Sequence, residues 1–406
     1  MKLVFLLAFF VTCLTSCNVR KSKAQPDSKA FEVRTEKYQK ERILLWKKKE
    51  YAKAIVLLKD AYLDYQALDT NIKSKYINVK STLLYNLSCG YALLQQNDSA
   101  LVYLQMAVKS GYSDYYLILK DSDLNSLRDK PEYLTLLDSM KQTYDFEFIL
   151  KHAKNYKSEK QKLPYFSIQE DYAVKLVDLK NKYKLDSVAG NGDEISQIIR
   201  LMQWVHQTIR HDGNSNNPID THANALIEVC KKENRGVNCR MLATILNEVY
   251  LAKGYKSHFV TCLPKSKTDP DCHVINSVFS KTLNKWLWMD PTFETWVKDE
   301  KGNLLGIQEV RERLISGLPL IASPNLNWNG NPNNPDNYLH NYMAKNLFQI
   351  SIPQKSNSGY ENLKYQDRTY VQLISLKYQS EHPELNGLKD QVYYTTDSEQ
   401  FWKHPE

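Results

Sequence analysis

Beyond Leu14 the chain has no long apolar run. A membrane-spanning helix needs about 20 consecutive apolar residues, so nothing past that point is expected to cross a bilayer. A basic stripe interleaved with aromatics is also missing. The 54 Lys and Arg are set against 46 Asp and Glu, often side by side as in KDEKGN, and the formal net charge is only +8. That pattern excludes a nucleic-acid partner. There is no C-x-x-C and no H-x-x-x-H spacing. A zinc site assembled from Cys239, Cys272, His273 and Asp290 therefore has no support from spacing, and no cofactor is expected. Strong helix breakers are rare from Phe31 to about Tyr144.

What is present starts with a targeting signal. Met1-Lys2 precede the apolar run Leu3 to Leu14, which is too short to span and reads as the core of a secretory signal. The run ends in Leu14-Thr15-Ser16-Cys17, which resembles the bacterial lipoprotein signal box. The resemblance implies removal of residues 1–16, lipid on Cys17, and membrane attachment through that lipid with the bulk of the chain in water. Residues 17–30 are polar and form a tether. The expected location is the cell envelope, periplasm-facing or at the outer membrane, as an exported bacterial lipoprotein.

Seven cysteines are present. Cys13 leaves with the signal and Cys17 carries lipid. Cys89, Cys230, Cys239, Cys262 and Cys272 remain in a disulfide-permissive compartment. Their odd number leaves a thiol free or paired between molecules. Cys262 and Cys272 flank the loop LPKSKTDPD, and a disulfide closing it is one expectation. Cys89 and Cys230 read as buried side chains. A Cys230–Cys239 bridge would be short-range beside a helix start and is not expected.

Residues 31–150 carry helical periodicity. Leu84, Leu87, Ser88, Tyr91, Ala100, Leu104 and Ala107 fall at the spacings of one tetratricopeptide repeat, and Ala54, Leu58 and Ala61 repeat its second-helix part. The copies lie about 46 residues apart, against ~34 in a regular array. A degenerate repeat pair and a generic helical bundle both fit. In the first case this region offers a surface for a protein partner. The 27 tyrosines are spread along the chain, as core-edge and interface residues.

A lysine-rich linker, His152 to Leu163, leads to a second region over residues 165–345. Helices are expected at Val174–Tyr183, Glu194–Ile209, His222–Lys232 and Met241–Ala252, the last stopped by Gly254. From Tyr255 the period changes to two. Strands are expected at Ser257–Cys262, Val274–Phe279 and Trp286–Met289, the last two joined in a hairpin by a turn at Lys281–Lys285. Past Gly330 the Asn- and Pro-rich sequence reads as a loop. Residues 346–406 read as a β-rich extension packed on the core, with strands near Leu347–Ile352 and Thr369–Leu376. The fold class is α+β.

Three residues in this region carry chemistry. Cys239 follows the breaker Asn234-Arg235-Gly236 and opens a helix, where unpaired backbone N–H groups stabilise a thiolate. His273 starts one strand and Asp290 ends the next. The hairpin brings them together, so that Asp290 orients His273 as the base for Cys239. His258, in mid-strand, reads as core or surface, and Arg240 as packing.

The stretch from about Ile195 to Val297 resembles the core of the transglutaminase-like superfamily, a relative of the papain fold. Gly236, Cys239, Ala243, His273, Trp286, Asp290, Pro291 and Thr292 match its pattern. The spacing departs in one place, since the common form has Gly two residues before Cys and Val237 stands there. The resemblance implies attack of Cys239 on an amide carbonyl of a peptide or protein substrate through a thioester, most directly as a peptidase or amidase. It also admits a cross-linking transglutaminase, and an inactive envelope scaffold that only binds partners. The oxyanion hole is expected to use the Cys239 N–H and one upstream donor, with Trp204, His206 and His211 as nearby candidates.

Overall fold

The computed structural model describes residues 28–153, 155–157, 163–164, 166–169 and 173–403. The signal segment, Cys17 and most of the tether lie outside the described residues, as does part of the His152–Leu163 linker. No helix among the described residues is long and apolar enough to cross a membrane. The chain divides into two compact units. One takes in the described residues up to Tyr112 together with Ser122–Tyr133, and the other Ser113–Asp121 and everything from Leu134 onward. The expected boundary near residue 150 is thus replaced by an interleaved one.

The first unit is built from two helical hairpins. Helices α1 (Ser28–Lys47) and α2 (Tyr51–Gln66) form one, and α3 (Ile77–Leu93) and α4 (Asn97–Lys109) the other. Each tight turn uses one left-handed residue, Lys49 and Gln95. Ala54, Leu58 and Ala61 are buried, as are their counterparts Ala100, Leu104 and Ala107, and Leu84, Leu87 and Ser88. Small residues let the helices approach. A Cβ on Gly90 of α3 would stand 2.9 Å from Ile55 Cγ1 of α2. The Ser88 hydroxyl donates to the Ala100 carbonyl across the second hairpin at 2.8 Å. The extra length between the copies is taken up by the short turns Thr70–Lys73 and Ser74–Tyr76.

The second unit is α+β. Helices α5 (Glu194–Thr208), α6 (Ala223–Glu233) and α7 (Cys239–Ala252) precede strands β1 (Ser257–Leu263), β2 (His273–Ser280) and β3 (Lys285–Met289). Strands β4 (Gln349–Pro353), β5 (Tyr370–Leu373), β6 (Gly387–Lys389) and β7 (Val392–Thr395) complete a seven-stranded sheet of order β6-β7-β5-β4-β1-β2-β3. Within this sheet, β5 and β7 are the one parallel pair. The residues after 346 are therefore more than an extension on the core, because β4 pairs directly with β1.

Alternation along the strands splits the core in two. Val278, Leu287 and Met289 face α5, α6 and α7. Val260, Ile275 and Trp288 face a second layer that includes helix α8 (Ile307–Ser316). Every residue of α7 from Met241 to Ala252 is buried, so the helix that begins with Cys239 runs through the middle of the unit. The stretch read as loop past Gly330 contains a π-helical segment, Asn337–Met343, whose Tyr338, Leu339 and Met343 are buried.

The five described cysteines are all free thiols. The Cys262–Cys272 disulfide does not form. Cys262 lies directly opposite His273 in the β1–β2 ladder and is turned into the core. Neighbours along a strand project to opposite faces, so the residue before His273 is directed away from Cys262.

Candidate active site

Cys239 is set by the three residues before it. Val237 forms a parallel bridge with His211: its N–H donates to the Arg210 carbonyl at 3.1 Å, and its carbonyl accepts from Asp212 N at 2.8 Å. The two strands approach so closely that a Cβ on Gly236 would stand 2.5 Å from the Arg210 carbonyl oxygen. That contact is the physical reason for a glycine here, three residues before the cysteine. Asn238 then caps α7, its Oδ1 accepting from Met241 N at 3.1 Å and its Nδ2 donating to Asn217 Oδ1 at 2.7 Å. The helix begins at Cys239, as expected from its place after the breaker, and the cap includes the thiol in the first turn ahead of the periodic run from Met241. Cys239 is half-buried.

His273 and Asp290 meet at one end of the β2–β3 hairpin, whose register pairs Asn276 with Met289 and Ser280 with Lys285. His273 Nε2 lies 2.7 Å from Asp290 Oδ2, and both side chains are buried. Asp290 Oδ2 also accepts from the Tyr338 hydroxyl at 2.7 Å, while Oδ1 accepts from the N–H groups of Thr292 at 2.9 Å and Phe293 at 3.3 Å. The imidazole packs against the rings of Phe293 and Tyr342, at 5.5 and 5.2 Å between centroids. With Nε2 on the carboxylate, Nδ1 is the nitrogen left for its contact with the Cys239 thiol.

The electrostatics favour a charge-separated pair. Burial pushes the Cys239 thiol up, but hydrogen bonds from His211 and His273, followed by the charge of His273, outweigh it, and the thiol is lowered to about 6. Burial alone would lower His273. The charge and hydrogen bond of Asp290, followed by those of Cys239, raise it to about 10. Near neutral pH the arrangement therefore holds a thiolate beside an imidazolium.

Sequence reasoning offered three residues as upstream donors, and only His211 touches the thiol. Trp204 packs on Tyr183, 5.5 Å between centroids, in the helical core. His206 holds the turn after Asp290, through Nδ1 to the Pro291 carbonyl and Nε2 to Asn327 Oδ1, both at 2.9 Å. His211 Nδ1 accepts the indole N–H of Trp328 at 3.0 Å. Trp328 and Tyr338 were not foreseen. The signal for Trp328 was available in Asn329-Gly330, the favoured pair for a two-residue hairpin turn. Both have positive φ, 52° and 80°, and join the short strands Asn327–Trp328 and Asn331–Pro332. Nothing in the sequence pattern marks Tyr338 among the other tyrosines.

The remaining neighbours are as expected or inert. Arg240 donates to Thr261 Oγ1 at 3.1 Å, pairs with Glu361 at 3.5 Å and lies over Phe259, which is packing and charge balance. His258 is buried between Phe166 and Trp286 and is lowered to about 3 by burial, so it stays neutral. The thiol of Cys272 is raised, first by burial and then by the charge of Cys239.

Residues 181–291 match the family model of the transglutaminase-like superfamily. The chain carries a transglutaminase-like domain. Its match ends one residue past Asp290, so it contains all three candidate residues. A chloroplastic protein of Arabidopsis thaliana is 36% identical over 75 residues, 18% of this chain. The chain spans only 21% of that relative. A solved "Putative Cysteine Protease" from Cytophaga hutchinsonii is 16% identical, with a TM-score of 0.24, over 36% of this chain and 48% of its own.

Proposed function

We propose that the transglutaminase-like domain hydrolyses an amide bond of a peptide or protein through a thioester on Cys239. The observation that carries this reading is a half-buried thiol at a helix start, in contact with an imidazole whose far nitrogen is held by a buried carboxylate. In the first half-reaction the Cys239 thiolate adds to the carbonyl carbon, forming the C–S bond. The His273 imidazolium then delivers its proton to the departing amine as the C–N bond breaks. Thioester formation removes the thiolate, one of the charges that held the proton on His273. His273, now neutral, takes a proton from water as that water adds to the thioester and keeps it as the C–S bond breaks, so the acid product leaves and the Cys239 thiolate and His273 imidazolium are restored.

The envelope setting belongs to the same proposal. Cys17 carries lipid, which anchors the domain at the membrane, and the paired helical hairpins bind a protein partner or present the substrate. Replacing Cys17 by Ser should move the full chain from the detergent phase to the aqueous phase on Triton X-114 partition. An unchanged distribution would remove the anchor from the proposal.

Iodoacetamide tests the thiol. Cys239 should label much faster than Cys272 near neutral pH, and Cys239→Ala should abolish turnover of envelope-derived peptides. Equal labelling of the two thiols together with unchanged turnover in Cys239→Ala would overturn the enzyme reading in favour of a binding scaffold. Incorporation of a primary amine into a glutamine peptide, in place of hydrolysis, would make the acceptor an amine.

A further inference from the structure

We infer that His211 is the side-chain donor that polarises the scissile carbonyl, and that the Trp328 hairpin holds it in the one tautomer able to donate. The inference rests on the thioester reading above and adds a residue to it. His211 occupies the strand bridged to Val237, two residues before the nucleophile. Its backbone is clamped on both sides by one residue: His211 N donates to Asn329 Oδ1 at 2.8 Å, and Asn329 Nδ2 donates to the His211 carbonyl at 3.0 Å. Trp328, next in the same hairpin, fixes the ring.

The indole N–H is a donor only, so the Nδ1 it meets must offer a lone pair. The proton of His211 is therefore on Nε2, and Nε2 is the nitrogen free to meet Cys239. His211 cannot take the thiol proton in this arrangement, because the nitrogen facing the thiol already carries one. His273 has the opposite assignment, with its far nitrogen on a carboxylate that favours the charged ring. The two imidazoles around one sulfur thus divide the work, one exchanging protons and the other only donating a hydrogen bond. As sulfur attacks, negative charge passes from Sγ to the carbonyl oxygen, and a donor already aimed at the sulfur follows it with little reorganisation.

The hairpin shares its foundation with the candidate acid. Asn327 Nδ2 donates to Glu294 Oε2 at 2.6 Å, and its Oδ1 receives Gly330 N at 2.7 Å. Glu294 belongs to the turn that follows Asp290, which Thr295 closes by pairing back to Asp290. Displacement of that turn would move the Asp290 carboxylate and the His211 donor together.

Two probes separate a carbonyl donor from a general support of the thiol. p-Nitrophenyl acetate needs a developing oxyanion to be stabilised, whereas iodoacetamide needs only a thiolate. The measurement is run at about pH 9, where the thiolate is fully formed. His211→Leu should slow acylation by p-nitrophenyl acetate roughly 100-fold, the cost of one oxyanion donor. Alkylation of Cys239 should change less than about threefold, which also verifies the fold. His211→Gln, which keeps an N–H donor, should recover part of the acylation rate, and Trp328→Phe should lose roughly tenfold, mostly in kcat. Acylation by His211→Leu at the wild-type rate, or an equal fall in both probes, would overturn the inference. If wild-type Cys239 reacts with neither probe faster than Cys272, the thioester reading itself fails.

Discussion

The two flanks of Cys239 are built by different means. On one side, His273, Asp290 and Tyr338 are buried in the sheet and its covering layer, and both oxygens of Asp290 are occupied. On the other, His211 is half-buried and held by a two-stranded hairpin whose Trp328 is 42% exposed. The buried flank handles charge, which needs low dielectric and fixed partners. The exposed flank lies where, on the proposed reading, a substrate carbonyl would enter from solvent. On the proposed thioester reading, proton transfer falls to the rigid core and the inferred carbonyl donor to a surface element.

Unbalancing the buried flank should have the largest effect. Asp290→Asn keeps size and removes the charge that holds the His273 proton. Turnover should fall about 10³- to 10⁴-fold, as expected when the orienting acid of a triad loses its charge. His273 should then titrate lower, so the alkaline limb of the rate profile should move down in pH. The wild-type profile should be bell-shaped, rising as the thiol ionises near its lowered value of about 6 and falling as the imidazolium is lost near about 10. A rate unchanged by Asp290→Asn would show that the buried flank is structural.

The next largest effect should come from the joint between the flanks. Gly236→Ala places a methyl 2.5 Å from the Arg210 carbonyl oxygen, and backbone must shift to accept it. The strand that moves carries His211. Acylation should fall roughly 100-fold, as for loss of the donor. Circular dichroism and Asp290-dependent features of the pH profile should persist, because the β2–β3 hairpin is not touched. A variant that loses both limbs of the profile would mean that the flanks are not separable.

The buried flank was the more legible of the two. Period-two patterning placed β1, β2 and β3 within a residue or two, because each is bounded by a polar turn or loop. The Gly236, Cys239, His273 and Asp290 spacing followed from the same order. In the first unit, Ala54, Leu58 and Ala61 matched Ala100, Leu104 and Ala107, since the alanines let the helices approach and the leucines fill the groove between them. The exposed flank was marked in the sequence by Asn329-Gly330 alone. Its hairpin is two residues long on each strand, too short to show periodicity, and its Asn-Pro composition resembles any loop. Tyr338 escaped because a π-helical turn carries no sequence period of its own. Strands β6 and β7 escaped because they lie at one end of the sheet, where most of their side chains are exposed or half-buried and burial does not enforce alternation.

The smallest effect is expected inside the buried flank. Tyr338 and His273 share Asp290 Oδ2, so the phenol competes with the imidazolium for the same charge. Tyr338→Phe removes a hydrogen bond to a charged group, worth about 1.5–3 kcal/mol where it is made, but leaves His273 and two backbone donors on the carboxylate. Less of the carboxylate charge is then neutralised by the phenol, and more is felt by His273. The sign follows: the imidazolium is held more tightly, and the alkaline limb should move up in pH, opposite to Asp290→Asn. Turnover should fall only about three- to tenfold, because the imidazole remains packed between Phe293 and Tyr342. Rate profiles of the two variants measured side by side decide the point. Limbs displaced in the same direction would mean that Tyr338 positions Asp290 rather than sharing its charge.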